Sequence, residues 1–382
     1  MKFEKLKNIV EVKKGKKPSF VETPDENSIR VLQIDDLRNN TNPKFTNDKT
    51  GVLAKEDDVL IAWDGANAGT IGYGKSGYIG STIALLRKKQ PDLYSTTFIG
   101  IFLQSQYQYL RSKTTGATIP HISRKALDEL EVPVISVSDQ LHIATTLSKA
   151  ENLIAQRKES IRLLDEFLKS TFLEMFGDPV RNEKGLAKSK LNTLTKIGTG
   201  GTPSRKREAE FYNGKIPWVK TTEVNGSYIS NTEERITEAA LKESNCKMYP
   251  VGTILIAMYG QGKTRGNVGV LKIEATTNQA CAAILPSDNF NTIFLFLQLK
   301  QLYTSIRSMA KGSNQENLNL SIVGNIEVLI PPLALQTQFA QIVEKTEALK
   351  TQYQQSLQEL ENLYGSLSQK AFRGELKMKQ NV

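Results

Sequence analysis

The chain has 382 residues, of which 39% are hydrophobic and 24% are charged, with a formal net charge of +10 and a pI near 9.3. This length favours two or more domains over a single core, and the balanced mixture of charges argues against a disordered chain. The excess of basic residues favours a polyanionic partner, most simply nucleic acid.

Membrane and secreted proteins are disfavoured by the same sequence. No apolar run approaches the roughly 18 residues that a membrane span requires, and the amino terminus lacks the apolar core of a signal peptide. Cys246 and Cys281 form neither a disulfide framework nor a metal-binding spacing. We therefore expect a cytoplasmic protein that does not act on a membrane.

Residues 1–137 have the pattern of a globular block built from short strands and helices. Apolar strands are predicted at residues 31–34 and 82–86, and a strand from Val59 runs into a glycine-rich hairpin. An apolar helix is predicted at residues 97–110. This order is typical of a mixed α/β domain.

Residues 138–177 are predicted to form one long helix, which ends at Gly177 because glycine and the nearby Pro179 disfavour its continuation. Its apolar residues recur every seventh position, as in a coiled-coil seam. They are Leu147, Ile154, Ile161, Leu168 and Met175. A neighbouring stripe of Leu153, Leu164 and Phe167 widens the apolar face, which predicts packing on a globular domain as well.

The second half of the chain repeats this order at an offset of 196 residues, so that Gln140 corresponds to Gln336 and Phe176 to Phe372. The repeat consists of a second block at residues 178–333, a second long helix at residues 334–374 and a tail at residues 375–382. The predicted seam of the second helix is Phe339, Ile342, Thr346, Leu349, Tyr353, Ser356, Leu360, Leu363 and Leu367.

Two heptad helices in one chain meet at an effective concentration that a second chain does not easily match, which favours intramolecular pairing over homo-oligomerisation. We therefore predict an α+β fold, in which two mixed α/β domains in tandem are each followed by a long helix. The two helices are predicted to pair as an antiparallel coiled coil with pseudo-twofold symmetry.

Candidate nucleic-acid contacts lie in the corresponding turns and hairpins of the two blocks. Basic side chains can neutralise phosphates, and polar side chains can read base edges in the major groove. The candidates in the first block are Lys16, Lys17, Asp64, Asn67, Thr118 and His121. Those in the second block are Arg205, Lys206, Lys220, Thr221, Glu223, Tyr259, Gln261, Lys263, Arg265, Asn267, Ser313, Asn314 and Asn317.

An enzyme and a protein-binding scaffold are the two alternatives. Gly262, Lys263 and Thr264 follow a strand as in a phosphate-binding loop, but Ala257 occupies the position of its first glycine. The residues after Thr264 read as the return strand of a hairpin rather than the required helix. No paired metal-ligand spacing and no set of catalytic side chains is evident, so we expect neither a catalytic centre nor a metal site.

Several segments together resemble the specificity subunits of Type I restriction–modification systems. They are GTGGTPSR, IPWVKTTEV, ILIAMYGQG, GSNQENLN and, from Ile326, IEVLIPPLALQTQFAQIVEKTEAL, in the order domain–helix–domain–helix. The first copy departs from the double proline of this pattern, with Ile135 and Ser136 in its place.

This resemblance implies two target-recognition domains, residues 1–137 and 178–333, that each read one half of a bipartite DNA sequence. The two helices would set the spacer, and the difference between the domains implies an asymmetric target. The implied partners are double-stranded DNA, two methyltransferase subunits that bind S-adenosylmethionine and methylate adenine, and ATP- and Mg-dependent restriction subunits. The chain itself would bind no cofactor and catalyse no reaction.

Overall fold

The structure is a computed structural model that describes residues 2–39, 41–116, 118–260, 262–311 and 317–376. It separates into two compact units, each combining one globular domain with one half of each long helix. Unit 1 takes in the described residues of Met1–Glu159 and Gln354–Val382, and unit 2 is Ser160–Tyr353. None of the helices in the described part of the chain is long and apolar enough to span a membrane.

The described residues of the first domain form ten strands and four short α-helices. The strands are β1 (Phe3–Lys5), β2 (Val10–Lys14), β3 (Ile29–Leu32), β4 (Lys44–Thr46), β5 (Leu53–Ala54), β6 (Val59–Ala62), β7 (Ile71–Tyr73), β8 (Gly77–Ile79), β9 (Ile83–Lys88) and β10 (Glu131–Pro133). The helices are α1 (Leu6–Ile9), α2 (Thr96–Ser105), α3 (Tyr107–Ser112) and α4 (Arg124–Asp128), with 3-10 turns at Ile34–Leu37 and Pro91–Leu93.

Two four-stranded sheets, with strand orders β2-β9-β6-β7 and β4-β3-β8-β5, form the frame of this domain. β6 is a continuous apolar run whose four residues are all fully buried, as expected of a strand covered on both faces. Because β9 pairs antiparallel with both β2 and β6, these two strands run in the same direction. Their carboxyl ends therefore lie at one edge of the sheet.

The second domain repeats this architecture. Its strands are β11 (Lys188–Lys190), β12 (Ile197–Thr199), β13 (Tyr212–Val219), β14 (Tyr228–Ile229), β15 (Glu234–Ile236), β16 (Ile254–Ala257), β17 (Val268–Leu271), β18 (Thr276–Thr277), β19 (Cys281–Ile284) and β20 (Glu327–Leu329). Its helices are α6 (Leu191–Leu194), α7 (Glu208–Phe211), α8 (Glu238–Glu243), α9 (Thr292–Gln301), α10 (Tyr303–Ser308) and α11 (Leu320–Gly324), with 3-10 turns at Arg205–Arg207, Thr221–Glu223 and Met309–Lys311.

The sheet order β12-β19-β16-β17-β14 contains the four-strand order of the first domain, with one strand added at its edge. β12 and β16 both pair antiparallel with β19, so that their carboxyl ends again share one edge. Every α helix from α2 to α4 has a counterpart from α9 to α11 at an offset of 196 residues. The predicted duplication of an α+β domain is confirmed.

The two long helices are α5 (Val137–Phe176) and α12 (Leu333–Phe372), each of 40 residues and therefore about 60 Å long. In unit 1 the Tyr364 hydroxyl donates to Glu151 at 2.6 Å, and Lys158 pairs with Glu361 at 2.8 Å. The residue numbers of the partners on α12 fall as those on α5 rise. The helices are therefore antiparallel there, as predicted. In unit 2, Lys350 and Asp165 bridge the same two helices.

The apolar seam was predicted correctly for α5 but only in part for α12. All five heptad residues of α5 are buried or half-buried. In α12 the predicted seam residues Leu349 and Leu363 are instead 37% and 51% exposed. Lys350 and Tyr364, one residue later, turn inward to their polar partners on α5. The prediction was wrong there because paired polar side chains occupy positions that the apolar pattern alone cannot identify.

Leu153 and Phe167 of α5 do not pack on a domain either, and their side chains are 51% and 48% exposed. The start of α5 is nevertheless capped without the double proline of α12. Ser136 and Asp139 form a side-chain hydrogen bond of 2.7 Å, and the Ser136 hydroxyl also accepts from the Asp139 amide. This is an N-terminal helix cap, which satisfies an amide that has no partner within the helix.

A buried glutamine fixes the start of each long helix to its own domain. Gln140 is fully buried, and its Oε1 accepts from the Ser95 amide at 2.8 Å. Gln336 accepts in the same way from the Asn291 amide, also at 2.8 Å. Because Ser95 and Asn291 cap α2 and α9, each glutamine joins its long helix to the corresponding short helix. The glutamines in register in the sequence thus have the same structural role.

Candidate nucleic-acid interface

Asp64 organises the candidate residues of the first domain at the shared edge of β2 and β6. One carboxylate oxygen accepts from the Lys14 ammonium at 2.8 Å, and the other lies 2.6 Å from His121 Nδ1. The Asp64 side chain is 15% exposed, whereas that of His121 is 47% exposed. Because Asp64 occupies Nδ1, the imidazole presents Nε2 to an approaching ligand.

The Asp64 carboxylate is stabilised in its charged form. Burial alone would raise its pKa, but hydrogen bonds from Lys14 and His121 and their attraction outweigh burial and lower the pKa below its usual range. The group therefore stays ionised at neutral pH, where it can hold Lys14 and the histidine in place.

The other candidates of the first domain are mostly exposed. Lys16 and Lys17 follow β2 and are exposed, as is Thr118. The Asn67 side-chain oxygen accepts from Arg38 at 3.1 Å, and Arg38 also donates to Thr70. The structure thus brings the strand-end loops together around a set of positive and hydrogen-bonding groups.

In the second domain, acidic neighbours neutralise two of the basic candidates. Arg205 pairs with Glu234 at 2.6 Å, and Lys220 pairs with Glu234 at 3.2 Å and with Glu233 at 2.6 Å. The guanidinium of Arg205 also lies 3.9 Å from the centre of the Tyr212 ring. Hydrogen bonds to Glu234 and to Glu233 raise the pKa of Arg205 and of Lys220 respectively. Lys206 is exposed.

Glu223 and Thr221 are also engaged within the domain. The Glu223 carboxylate accepts from the amides of Lys220 at 2.7 Å and Glu233 at 2.9 Å, and so fixes the turn that follows β13. Thr221 exchanges hydrogen bonds with the Asn278 side chain. These contacts place the β13 turn beside the start of β19. This is the strand-end edge of the domain, where the carboxyl ends of β12 and β16 lie.

The hairpin between β16 and β17 carries four further candidates. Lys263 is exposed, Tyr259 is 43% exposed, and Arg265 and Asn267 are half-buried. The Asn267 side chain donates to the Lys263 carbonyl at 3.1 Å, which stabilises the loop. After Thr264 the chain enters β17, which pairs antiparallel with β16. A phosphate-binding loop requires a helix at this position, and the structure has a strand instead.

The candidates Gln261, Ser313 and Asn314 lie outside the described residues. Asn317, just after that gap, is exposed. Sequence reasoning missed Lys14, Arg38 and Asn278, although each contacts a candidate residue. Lys14 adjoins the lysines that the charge argument selected, and the same argument would have found it. Arg38 and Asn278 are distant in sequence from the residues they contact, and no local pattern marks them.

Comparison with known proteins identifies the family. The model of the Type I restriction modification DNA specificity domain matches residues 1–163 and 183–362. The chain is 26% identical over 362 residues to the Type I restriction enzyme MjaVIII specificity subunit of Methanocaldococcus jannaschii, covering 88% of this chain and 83% of that protein. It is 26% identical over 289 residues to the MjaIX specificity subunit of the same organism, covering 72% and 67% respectively.

The fold agrees with a solved structure of the same kind. The crystal structure of a Type I restriction-modification system S subunit from M. genitalium aligns over 97% of this chain and 96% of that one, with a TM-score of 0.63 and 18% identity. Neither a nucleotide hydrolase nor a protein-binding scaffold is supported by these comparisons. The two matched segments of the family model each contain one copy of the repeated domain. The chain therefore belongs to the Type I restriction modification DNA specificity family, and its role is DNA recognition rather than catalysis.

Proposed function

We propose that this chain reads an asymmetric, bipartite target in double-stranded DNA, with one half-site read by residues 1–137 and the other by residues 178–333. The long helices, residues 138–177 and 334–374, act as the spacer between the two target-recognition domains. Most of the tail predicted at residues 375–382 lies outside the described residues. The observation that carries this proposal is a repeated sheet whose strand-end edge bears different chemistry in each copy. Lys14, Asp64 and His121 lie at this edge in the first domain, whereas Tyr259, Lys263 and Asn267 follow β16 at this edge in the second. Lys220 and Glu234 lie instead at the separate sheet β15-β13-β18.

The exposed basic candidates Lys16, Lys17, Lys206 and Lys263 are suited to phosphate contacts, which fix the protein on the duplex without specifying sequence. His121, Asn67, Tyr259 and Asn267 are suited to base contacts. Arg205, Lys220, Thr221 and Glu223 are engaged by neighbouring side chains or amides, and these contacts stabilise the loops. The loops thereby combine phosphate contacts, which orient the protein on the duplex, with base contacts, which read its sequence.

The test is to co-express the chain with its methyltransferase subunit and to map adenine methylation across the genome by single-molecule sequencing. We expect one asymmetric motif, made of two short half-sites separated by a fixed gap. A methylated motif that is continuous or symmetric would contradict the division into two different readers. A stable complex without any methylated motif would contradict the role in target recognition.

The partners in this proposal are two methyltransferase subunits, which bind S-adenosylmethionine, and restriction subunits, which use ATP and Mg, in the cytoplasm. The surface of the long helices supports a stoichiometry of two methyltransferase subunits. In unit 1, Leu153 and Leu363 are both 51% exposed, and in unit 2 the equivalent residues Leu349 and Phe167 are 37% and 48% exposed. Exposed apolar side chains at repeated positions are typical of a docking surface that occurs twice.

Replacing Leu153 and Leu363 together by aspartate is expected to reduce the complex from two methyltransferase subunits to one, because a charge in an apolar contact is poorly solvated. Replacing Leu349 and Phe167 in the same way should remove the other subunit. Native mass spectrometry of the co-expressed complexes measures both results. Gln355→Asp, on an exposed polar position of α12, is the control and should retain both subunits.

A further inference from the structure

Helices α3 and α10 each hold the loop at the strand-end edge of their domain with the same two side chains. Tyr303 and Arg307 of α10 correspond to Tyr107 and Arg111 of α3 at the offset of 196 residues. All four side chains are half-buried. In each helix the two residues are four positions apart, so they lie on the same face of the helix.

In the second domain the pair grips the main chain of the β16–β17 hairpin loop. Arg307 Nη1 donates to the Arg265 carbonyl at 3.1 Å and to the Tyr303 hydroxyl at 2.9 Å. The Tyr303 hydroxyl in turn donates to the Lys263 carbonyl at 2.7 Å. Hydrogen bonds from a charged guanidinium are stronger than neutral ones, so this chain of bonds fixes two residues of the loop.

In the first domain, Tyr107 and Arg111 contact the equivalent loop, which connects β6 and β7. Arg111 Nη1 lies 3.5 Å from the Ala68 carbonyl. The Tyr107 ring packs against Gly69, where an added Cβ would lie 3.3 Å from the ring. In both domains the carbonyl that receives the arginine directly precedes a glycine with positive φ, which is +94° at Gly69 and +84° at Gly266. The arginine therefore contacts the equivalent turn of the equivalent hairpin in both domains.

We propose that Tyr107 with Arg111, and Tyr303 with Arg307, are positioning residues that determine sequence specificity by fixing the two recognition loops. This inference rests on the proposed function, in which those loops read DNA. The clamps bind main-chain carbonyls and a glycine turn, so loop side chains such as Asn67 and Lys263 are free to differ between domains while the clamp stays constant. Without it, the loop must lose more conformational entropy on binding and samples other geometries.

The experiment compares Arg307→Met and Arg111→Met in the co-expressed complex, since methionine keeps the length of the side chain but removes the donors. Arg307→Met is expected to raise methylation of sites with one mismatch in the second domain's half-site by roughly tenfold, the scale of one base contact. The first domain's half-site and the gap should stay unchanged. Arg111→Met should give the mirror result. Arg307→Lys, which keeps one donor group, should restore part of the discrimination.

Tyr303→Phe removes only the hydroxyl, so it tests the clamp even if an arginine variant folds poorly, and it should relax the same half-site to a smaller extent. Arg181→Met, at an exposed arginine away from the loop, is the control and should leave the motif intact. Thermal unfolding of each complex checks its folding. Lower methylation at all sites with an unchanged motif would show a merely structural role and would overturn the inference.

The two proposals can fail separately. If the unmodified chain yields no bipartite motif, the proposed function is wrong. If it yields that motif and Tyr303→Phe, Arg307→Met and Arg111→Met all retain it with full discrimination, only the clamp inference is wrong.

Discussion

Phe172→Ala is expected to destabilise unit 2 by about 3 to 5 kcal/mol, the usual loss for a fully buried phenylalanine. Phe172 is fully buried, and its ring centre lies 5.1 Å from that of Phe176, 5.7 Å from Phe294 and 5.5 Å from Phe339. These rings come from α5, α9 and α12. The substitution therefore leaves a cavity where both long helices meet the second domain, and urea denaturation should report the loss as a lower midpoint.

Phe167→Ala provides a matched control, because it makes the same chemical change five residues earlier on the same helix. The Phe167 side chain is 48% exposed, so the expected loss of stability is below about 1 kcal/mol. Equal losses for the two variants would contradict the assignment of the inward face of α5. A large loss for Phe167→Ala alone would reverse that assignment.

The long helices were predictable because their signals are local and repeated. Periodicity gave the inward residues of α5 from Leu147 to Met175, and Gly177, with a φ of +76°, follows the last helical residue, Phe176. The same reasoning failed at Leu349 and Leu363. There the inward positions belong to Lys350 and Tyr364, which pair with Asp165 and Glu151 on the other helix, and no local pattern marks such pairs.

The sequence predicted which regions form the candidate interface better than it predicted what each residue does there. Turns after strands were identified from glycine and polar residues, and the parallel course of β2 with β6 explains why two such turns share an edge. The charge balance of the basic candidates in the second domain was not predictable. Arg205 and Lys220 meet Glu234 only in the folded domain, 29 and 14 residues along the chain, so their positive charges are balanced in a way that composition cannot reveal.

Inserting four residues after Glu159 in α5, and four after Tyr353 in α12, is expected to widen the gap between the half-sites by about two base pairs. Four residues add about 6 Å of helix, and one base pair occupies about 3.4 Å of duplex. The insertion also turns the following helix by about 400°, which is about 40° more than a full turn, so its buried face is largely retained. Methylation mapping should show both half-sites unchanged at the new spacing.

A two-residue insertion at the same positions separates length from phase. It adds only about 3 Å but turns the following helix by about 200°, so Leu168 and Phe172 would point away from their partners. This variant should lose stability and methylate no motif, whereas the four-residue variant stays folded and active. If the four-residue variant instead keeps the original gap and changes a half-site, the helices do not set the spacing, and the division into two readers and a spacer is wrong.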